Sequence, residues 1–275
     1  MGRKVTLQPY AKLMPSRVST LNDLIPFGFL NEESYSKNFK NNNEFIELNT
    51  VQDSELEEFK NNPWTYVIGK YNFRNTWNFD SSKPRIGFFG CSFTFGEGIK
   101  NEHTFVDIVS KNLNLNPFNF GSAGSGVERV ARLFSAATSV IDFDSVVITL
   151  PGWHRQLHID HLGNMINLIP HYPHCGFEKM SDVLTSLDED YYIVRAATAV
   201  NWMYDIARYK NIKLIFSSWD HPQNEFCQLA FTDNTIDPFP NIDDKCARDK
   251  MHPGIKSQAA HAEQIIKAFN DRAWV

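Results

Sequence analysis

Three side chains in this sequence have the chemistry of an activated nucleophile and its base: Ser92, Asp249 and His252. Ser92 follows the apolar run Ile86 to Phe89 in the stretch R-I-G-F-F-G-C-S-F-T-F-G-E-G. Asp249 and His252 stand three residues apart near the C-terminus, in A-R-D-K-M-H-P-G. An imidazole activates a serine by taking its proton, and a carboxylate holds that imidazole in the correct tautomer. These residues predict attack on a carbonyl carbon, provided that the fold returns the C-terminal loop to Ser92.

The residues before Ser92 predict where its side chain lies. A short apolar run that ends at Gly90 is typical of a central strand in a parallel sheet, buried on both faces. Open α/β sheets bind ligands at the carboxyl ends of their strands. The glycines around Ser92 leave backbone N–H groups uncovered, so a developing negative charge can be met at this turn. We therefore interpret Ser92 as a candidate nucleophile; the alternative is that it only caps the following helix.

The remaining pattern predicts a three-layer α/β/α sandwich with a parallel sheet, spanning residues 83–275. Strands are expected near 86–90, 116–120, 145–150 and 213–217, where apolar and β-branched residues cluster. Helices are expected over 103–113, 127–137 and 188–209, with a last amphipathic helix reaching Phe269. Residues 222–248 are interpreted as an irregular acidic loop. Residues 1–82 are interpreted as an N-terminal extension that packs on the core as a structural collar, or alternatively forms a wall of the substrate site or an oligomer contact.

Composition limits the classes of function. With 275 residues, 42% of them hydrophobic, the chain is long enough to bury a sizeable core. A net charge of −5 without a basic stripe argues against nucleic acid. We find neither a secretory signal nor an apolar stretch of membrane-spanning length. The four scattered cysteines fit a reducing compartment. These features predict a protein of the cytoplasm, or of a virion assembled there, and leave the oligomeric state open.

The candidate residues fall in motifs that resemble three sequence blocks of the SGNH hydrolases, also called the GDSL esterase/lipase family. The motifs are G-C-S-F-T-F-G around Ser92, N-F-G-S-A-G at 119–124 and D-K-M-H at 249–252. They occur in the family's order, and the resemblance covers about residues 63 to 270. It implies a flavodoxin-like fold and a serine esterase that needs no metal or organic cofactor. It also implies a Ser92, His252, Asp249 triad, with the N–H groups of Ser92 and Gly124 donating to the oxyanion.

A fourth block of the family departs from its pattern in this chain. Where the family has G-x-N-D, with an asparagine that donates to the oxyanion, this sequence reads P-G-W-H-R at 151–155. The asparagine position falls on His154 or on Trp153, depending on which residue begins the block. An imidazole or an indole can each donate one hydrogen bond. We expect His154 to be the third donor, and Trp153 and Arg155 to contact the substrate, with a structural ion pair as the alternative for Arg155.

The sequence was also searched for a nucleotide-binding loop, a second catalytic pair, a lid and a metal site. The glycines at 121–126 read G-x-x-G-x-G, which fits neither the dinucleotide fingerprint nor the phosphate-binding loop. Asp220 and His221 are adjacent, and so they are poor partners for each other. The segment 156–180 reads as a long loop that acts as a lid or determines specificity. Its cluster of potential ligands lacks the spacing of a four-ligand metal cage, so no metal is predicted; the cluster comprises His158, Asp160, His161, His171, His174 and Cys175.

The substrate class is predicted from composition and from the aromatic residues near the candidate site. The absence of a long apolar, lipid-facing stretch favours a small O-acyl group on a carbohydrate over a lipid. Aromatic residues near the site, namely Phe93, Phe95, Trp153 and Trp219, are suited to stacking on a sugar or lining an acyl slot. Two other functions remain open. One is a carbohydrate-binding or virion structural module with a degenerate site, which the missing asparagine favours; the other is an acyltransferase in which an alcohol replaces water.

Overall fold

The computed structural model describes residues 19–20, 66, 73–74, 80, 82–159, 165–168, 188–242, 247 and 252–274. At 158–159 and 165–167 it describes the backbone alone.

The centre of the fold is a parallel sheet of four strands. They are β1 (Arg85–Gly90), β2 (Asn116–Gly121), β3 (Ser145–Leu150) and β6 (Lys213–Ser218), in the order β2-β1-β3-β6. The sequence prediction of these strands is confirmed to within a residue at each end. Gly90 is opposite Gly121 on one side and Thr149 on the other. The carboxyl ends of β1, β2 and β3 are therefore level at one edge of the sheet.

Helices cover both faces of this sheet, so the predicted three-layer α/β/α arrangement is confirmed. Alternate strand residues point to opposite faces: Phe89, Ile148 and Phe216 belong to one hydrophobic cluster, whereas Phe88, Val147 and Ile215 belong to the other. The described α-helices are α1 (Ser92–Phe95), α2 (Phe105–Asn112), α3 (Val127–Thr138), α4 (Glu189–Tyr209), α5 (His221–Ala230) and α6 (Ile255–Asp271). The first cluster includes residues of α3 and α4, and the second includes residues of α2 and α6.

Two segments are more regular than the sequence interpretation allowed. Part of the predicted loop after β3 is a hairpin of β4 (Gln156–Ile159) and β5 (Met165–Leu168), paired antiparallel. β4 alternates polar and apolar residues, whereas the adjacent apolar pair Met165 and Ile166 interrupts the alternation in β5, so the two-residue period that indicates a strand is brief. The predicted irregular loop at 222–248 is also wrong at its start, where α5 forms. Asp220 accepts from the Gln223 N–H and Pro222 occupies the first turn, both ordinary helix-start signals.

Most of the N-terminal extension lies outside the described residues, so its boundary at residue 82 stays a prediction. The described part touches the core. Phe73 is buried, and its ring meets that of Phe120 edge to face at 4.8 Å. Within the described ranges, we observe no helix that is both long and apolar enough to cross a membrane.

Candidate active site

Ser92 lies at the carboxyl end of the central strand β1, as its sequence context predicts. It is the first residue of α1, and Cys91 occupies the N-cap position. No side chain forms a cap hydrogen bond at this helix, so the alternative role of Ser92 as a helix cap is not what the structure shows. The residue is 4% exposed. Its hydroxyl forms no hydrogen bond to another described residue, which leaves it available to a partner or a substrate.

The position of α1 depends on small residues and one amide in the neighbouring strands. A methyl group on Gly121 would lie 2.1 Å from the backbone nitrogen of Phe95, so only glycine allows β2 and α1 to approach so closely. Asn119 joins the two elements as well. Its Nδ2 donates to the carbonyl of Thr94 at 3.0 Å, and its Oδ1 accepts from the Gly121 N–H at 2.9 Å. The nucleophile turn is thereby fixed to the sheet.

A buried arginine from the N-terminal extension holds the turn that follows α1. Arg74 is 2% exposed, and its guanidinium donates to the carbonyls of Phe95 at 2.6 Å, Gly96 at 2.7 Å and Ile99 at 2.8 Å. The guanidinium also lies over the ring of Tyr66, 4.9 Å from its centre. Hydrogen bonds from a charged donor are stronger than neutral ones. This part of the extension therefore acts as a structural support of the candidate site.

Gly124 lies in the turn after β2, next to the end of β1. Ser122 N–H donates to the carbonyl of Gly90 at 3.0 Å, and Ser125 N–H donates to the carbonyl of Ser122 at 3.1 Å. Gly124 has a φ of 71°, in the left-handed region that favours glycine. Its assignment as an oxyanion donor stays a prediction.

His154 and Asp220 come together beside Gly152 in the turn after β3. A methyl group on Gly152 would lie 2.7 Å from Cε1 of His154 and 3.2 Å from a carboxylate oxygen of Asp220. Burial lowers the pKa of His154, and the positive charge of Arg155 lowers it further, whereas Asp220 acts in the opposite direction. The net effect favours the neutral imidazole. A neutral imidazole has one N–H to donate, which is compatible with the predicted oxyanion role.

The two residues expected to contact substrate differ in their surroundings. Trp153 is partly buried and packs against the hydrophobic cluster of α3 and α4, so much of its ring serves the core. The Arg155 guanidinium lies 5.2 Å from the ring centre of Trp219, and this ring stacks on Phe93 at 5.6 Å. Phe95, the other aromatic residue considered for substrate contact, is 5% exposed and faces the protein interior.

His252 reaches the same edge from the C-terminal part of the chain, directly before α6. Its ring meets that of Phe93, the residue after Ser92, edge to face at 5.8 Å. Gln258, on the first turns of α6, donates to the carbonyl of Phe93 at 3.3 Å and accepts from the Phe105 N–H at 2.9 Å. These contacts bring His252 and the start of α6 to α1 and the residues that follow it, as the sequence interpretation required of His252. Asp249 lies outside the described residues.

The structure thus gathers five of the predicted residues at the carboxyl ends of the strands. It adds Glu97 and Arg74, which the sequence interpretation missed, and Asp220, which that interpretation considered only as a partner of His221. Glu97 lies 3.8 Å from Nε2 of His252, measured from its Oε2. Arg74 supports the turn that carries Glu97, and Asp220 lies beside His154. A charged residue between two glycines, G-E-G, was the available signal for Glu97. The predicted residues at this edge are Ser92, Gly124, His154, Arg155 and His252.

Apart from the β4 and β5 hairpin, the predicted lid lies outside the described residues. The side chains of His158, Asp160, His161, His171, His174 and Cys175 lie outside the described part of the chain. The prediction that these residues bind no metal, and that their segment acts as a lid or determines specificity, stays a prediction.

No protein-family model matches this sequence, and no curated protein sequence matches it. Several solved structures do resemble the fold. A lipolytic protein assigned to the G-D-S-L family, from Desulfitobacterium hafniense DCB-2, is 11% identical with a TM-score of 0.45, over 67% of this chain and 98% of that one. A psychrotrophic esterase from Pseudoalteromonas is 13% identical with a TM-score of 0.45, over 69% and 98%.

A third resemblance is to an acetyl xylan esterase from the rumen bacterium Butyrivibrio proteoclasticus. It is 13% identical with a TM-score of 0.46, over 72% of this chain and 67% of that chain. The first of these proteins is described as a member of the G-D-S-L family, and the other two are described as esterases.

Proposed function

We propose that this chain is a serine esterase with Ser92 as its nucleophile and His252 as its general base. The observation that carries the proposal is the position of Ser92, at the end of the central parallel strand and with a hydroxyl that does not cap its helix. His252 comes to the same turn through its contact with Phe93. Asp249 is proposed as the carboxylate that orients His252, on the basis of the three-residue spacing between them.

In the proposed reaction, Oγ of Ser92 attacks the ester carbonyl carbon while its proton passes to His252. As the new C–O bond forms, the carbonyl π electrons move onto the oxygen and create an oxyanion. The carbonyl then re-forms and the bond to the alcohol breaks, and the departing alcohol takes the proton from His252. Water, activated by the same imidazole, attacks the acyl-enzyme and releases the acid and Ser92.

The oxyanion is proposed to bind the backbone N–H groups of Ser92 and Gly124 and the side chain of His154. A donor aimed at the developing charge is worth about 3 kcal/mol in the transition state. Burial lowers the pKa of His154 and so favours the neutral imidazole, which supports this role because a neutral imidazole has one N–H to donate.

For the substrate, we propose an ester of a small acyl group, with O-acetyl groups on a carbohydrate as the first class to test. The Phe93 and Trp219 stack, with Arg155 over Trp219, supplies an aromatic and cationic wall beside Ser92. In such a wall the aromatic rings can stack on a sugar, and the guanidinium of Arg155 can donate hydrogen bonds to its hydroxyl groups. Trp153 is proposed to contribute the part of its ring that the core does not cover.

Steady-state hydrolysis of p-nitrophenyl acetate and of acetylated sugars tests this function. We expect Ser92→Ala and His252→Ala to lose activity by ~10³-fold or more, because each removes a member of the proposed catalytic unit. Ser139→Ala is the matched control, since Ser139 is exposed at the end of α3, and it should retain full activity. Full activity in Ser92→Ala would refute the proposal.

The competing function is a binding module that keeps this fold with a degenerate site. The specific observation in its favour is the lack of the family's asparagine at 151–155. A well-folded wild-type protein that binds an acetylated sugar in calorimetry, but releases no acetate from it, would support the binding module.

A further inference from the structure

Glu97 is held beside the proposed catalytic imidazole by an unusually well-supported turn. The residue stands between Gly96 and Gly98, whose φ values of 77° and 72° lie in the left-handed region. Its N–H donates to the carbonyl of Ser92 at 3.1 Å. Gly98 N–H donates to the Tyr66 hydroxyl at 2.6 Å, and Arg74 binds the carbonyl of Gly96. The backbone is therefore fixed on both sides of Glu97.

The side chain of Glu97 is directed at the nitrogen that the proposed reaction uses. Its Oε2 lies 3.8 Å from Nε2 of His252, and both side chains are 16% exposed. This separation is too long for a hydrogen bond, yet it is close enough for an electrostatic interaction, which is weakly screened at such low exposure. A carboxylate at this position favours the protonated imidazole over the neutral one.

Other charged groups near this edge have different neighbours. Asp220 lies beside Gly152 and His154, and Arg155 lies over Trp219. Phe93, which packs against the His252 ring, is apolar. On the loop of His252 itself, Arg248, Asp249 and Lys250 lie outside the described residues. Asp249 is thus the second carboxylate that any test must separate from Glu97.

We infer that Glu97 is a positioning residue for His252, a second carboxylate that stabilises the imidazolium formed when Ser92 gives up its proton. This inference rests on the proposed esterase function. The same contact has a cost at low pH, since a protonated His252 that is held by Glu97 cannot accept the Ser92 proton. Glu97 therefore sets both the rate at neutral pH and the pH at which activity is lost.

The sharpest test compares wild type with Glu97→Gln, which keeps the size and removes the charge. Without the carboxylate the imidazolium is less stable, so His252 stays neutral to lower pH. We expect the acidic limb of kcat/KM to move to lower pH and kcat at the plateau to fall roughly three- to tenfold, with KM unchanged. Glu102→Gln, at an exposed position on the following turn, is the matched control and should leave both unchanged.

Asp249→Asn and the double variant Glu97→Gln, Asp249→Asn show whether the carboxylates act separately. We expect the double variant to lose more activity than either single variant. An acidic limb that stays in place in Glu97→Gln, in an enzyme that is otherwise active, would overturn the inference about Glu97.

A second readout does not depend on catalysis. The imidazole titration of His252, followed by NMR in wild type and Glu97→Gln, should have its midpoint at lower pH in the variant. If the wild type has no esterase activity, the proposed function fails, while this titration still decides whether Glu97 interacts with His252. An identical midpoint in the two proteins would overturn the interaction itself.

Discussion

Replacement of Arg74 by Met should destabilise the protein by about 3–5 kcal/mol. Arg74 donates three hydrogen bonds of 2.6 to 2.8 Å to carbonyls of the turn after α1, and it is almost fully buried. A hydrogen bond that involves a charged group contributes about 1.5–3 kcal/mol, and not all of the three are independent. Met fills much of the space but offers no donor, so the turn loses its support while the core remains packed.

Urea unfolding followed by fluorescence measures this effect, provided that the slope of the transition is unchanged. Arg74→Lys should recover part of the loss, because an ammonium is a compact donor without the planar fork of the guanidinium. Arg208→Met is the control, since Arg208 is exposed at the end of α4, and its free energy of unfolding should change by less than about 1 kcal/mol. A loss below about 1 kcal/mol in Arg74→Met would refute the view that the extension supports the nucleophile turn.

Three further predictions concern positions around the sheet. Gly121→Ala should lower the free energy of unfolding by about 1–3 kcal/mol in urea titrations, because the new methyl group would meet the backbone of Phe95; a neutral effect would contradict this packing. Burial lowers the pKa of His261 to about 4, so below pH 6.5 the unfolded chain binds more protons than the folded protein. The free energy of unfolding should therefore fall by about 3 kcal/mol between pH 6.5 and 4. His261→Gln should weaken this dependence of the free energy of unfolding on pH, measured by urea titrations at several pH values. An unchanged pH dependence would exclude His261 as its source. His154→Ala should lower kcat by about 10²-fold in ester hydrolysis, with partial recovery in His154→Asn, whereas equal activity in all three proteins would exclude His154 as an oxyanion donor.

The sheet and the region of the candidate site could be predicted because their signals are local. Apolar runs such as Ser145–Leu150 specify buried strands by themselves, and glycine and serine motifs at strand ends indicate the functional edge. The helix α5 could have been predicted as well, since Asp220 and Pro222 are ordinary helix-start residues. The β4 and β5 hairpin was harder to predict, because β4 alternates over only four residues and β5 does not alternate throughout.

The supporting contacts of the site could not be predicted from the sequence, because they join residues that are distant along the chain. Arg74 binds carbonyls more than twenty residues away, and Gln258 reaches Phe93 from the C-terminal helix. Nothing in the pattern around Glu97 indicates that His252 lies opposite it. Such pairs depend on how helices and loops pack on the sheet, which local periodicity does not determine.

Labelling with a fluorophosphonate probe, followed by mass spectrometry of the modified peptide, tests the central claim most directly. An activated serine reacts with such a probe, whereas an ordinary surface or capping serine does not. We predict a single labelled peptide that carries Ser92, with labelling abolished in Ser92→Ala and strongly slowed in His252→Ala. Well-folded wild-type protein that is not labelled, or is labelled at another serine, would contradict the account.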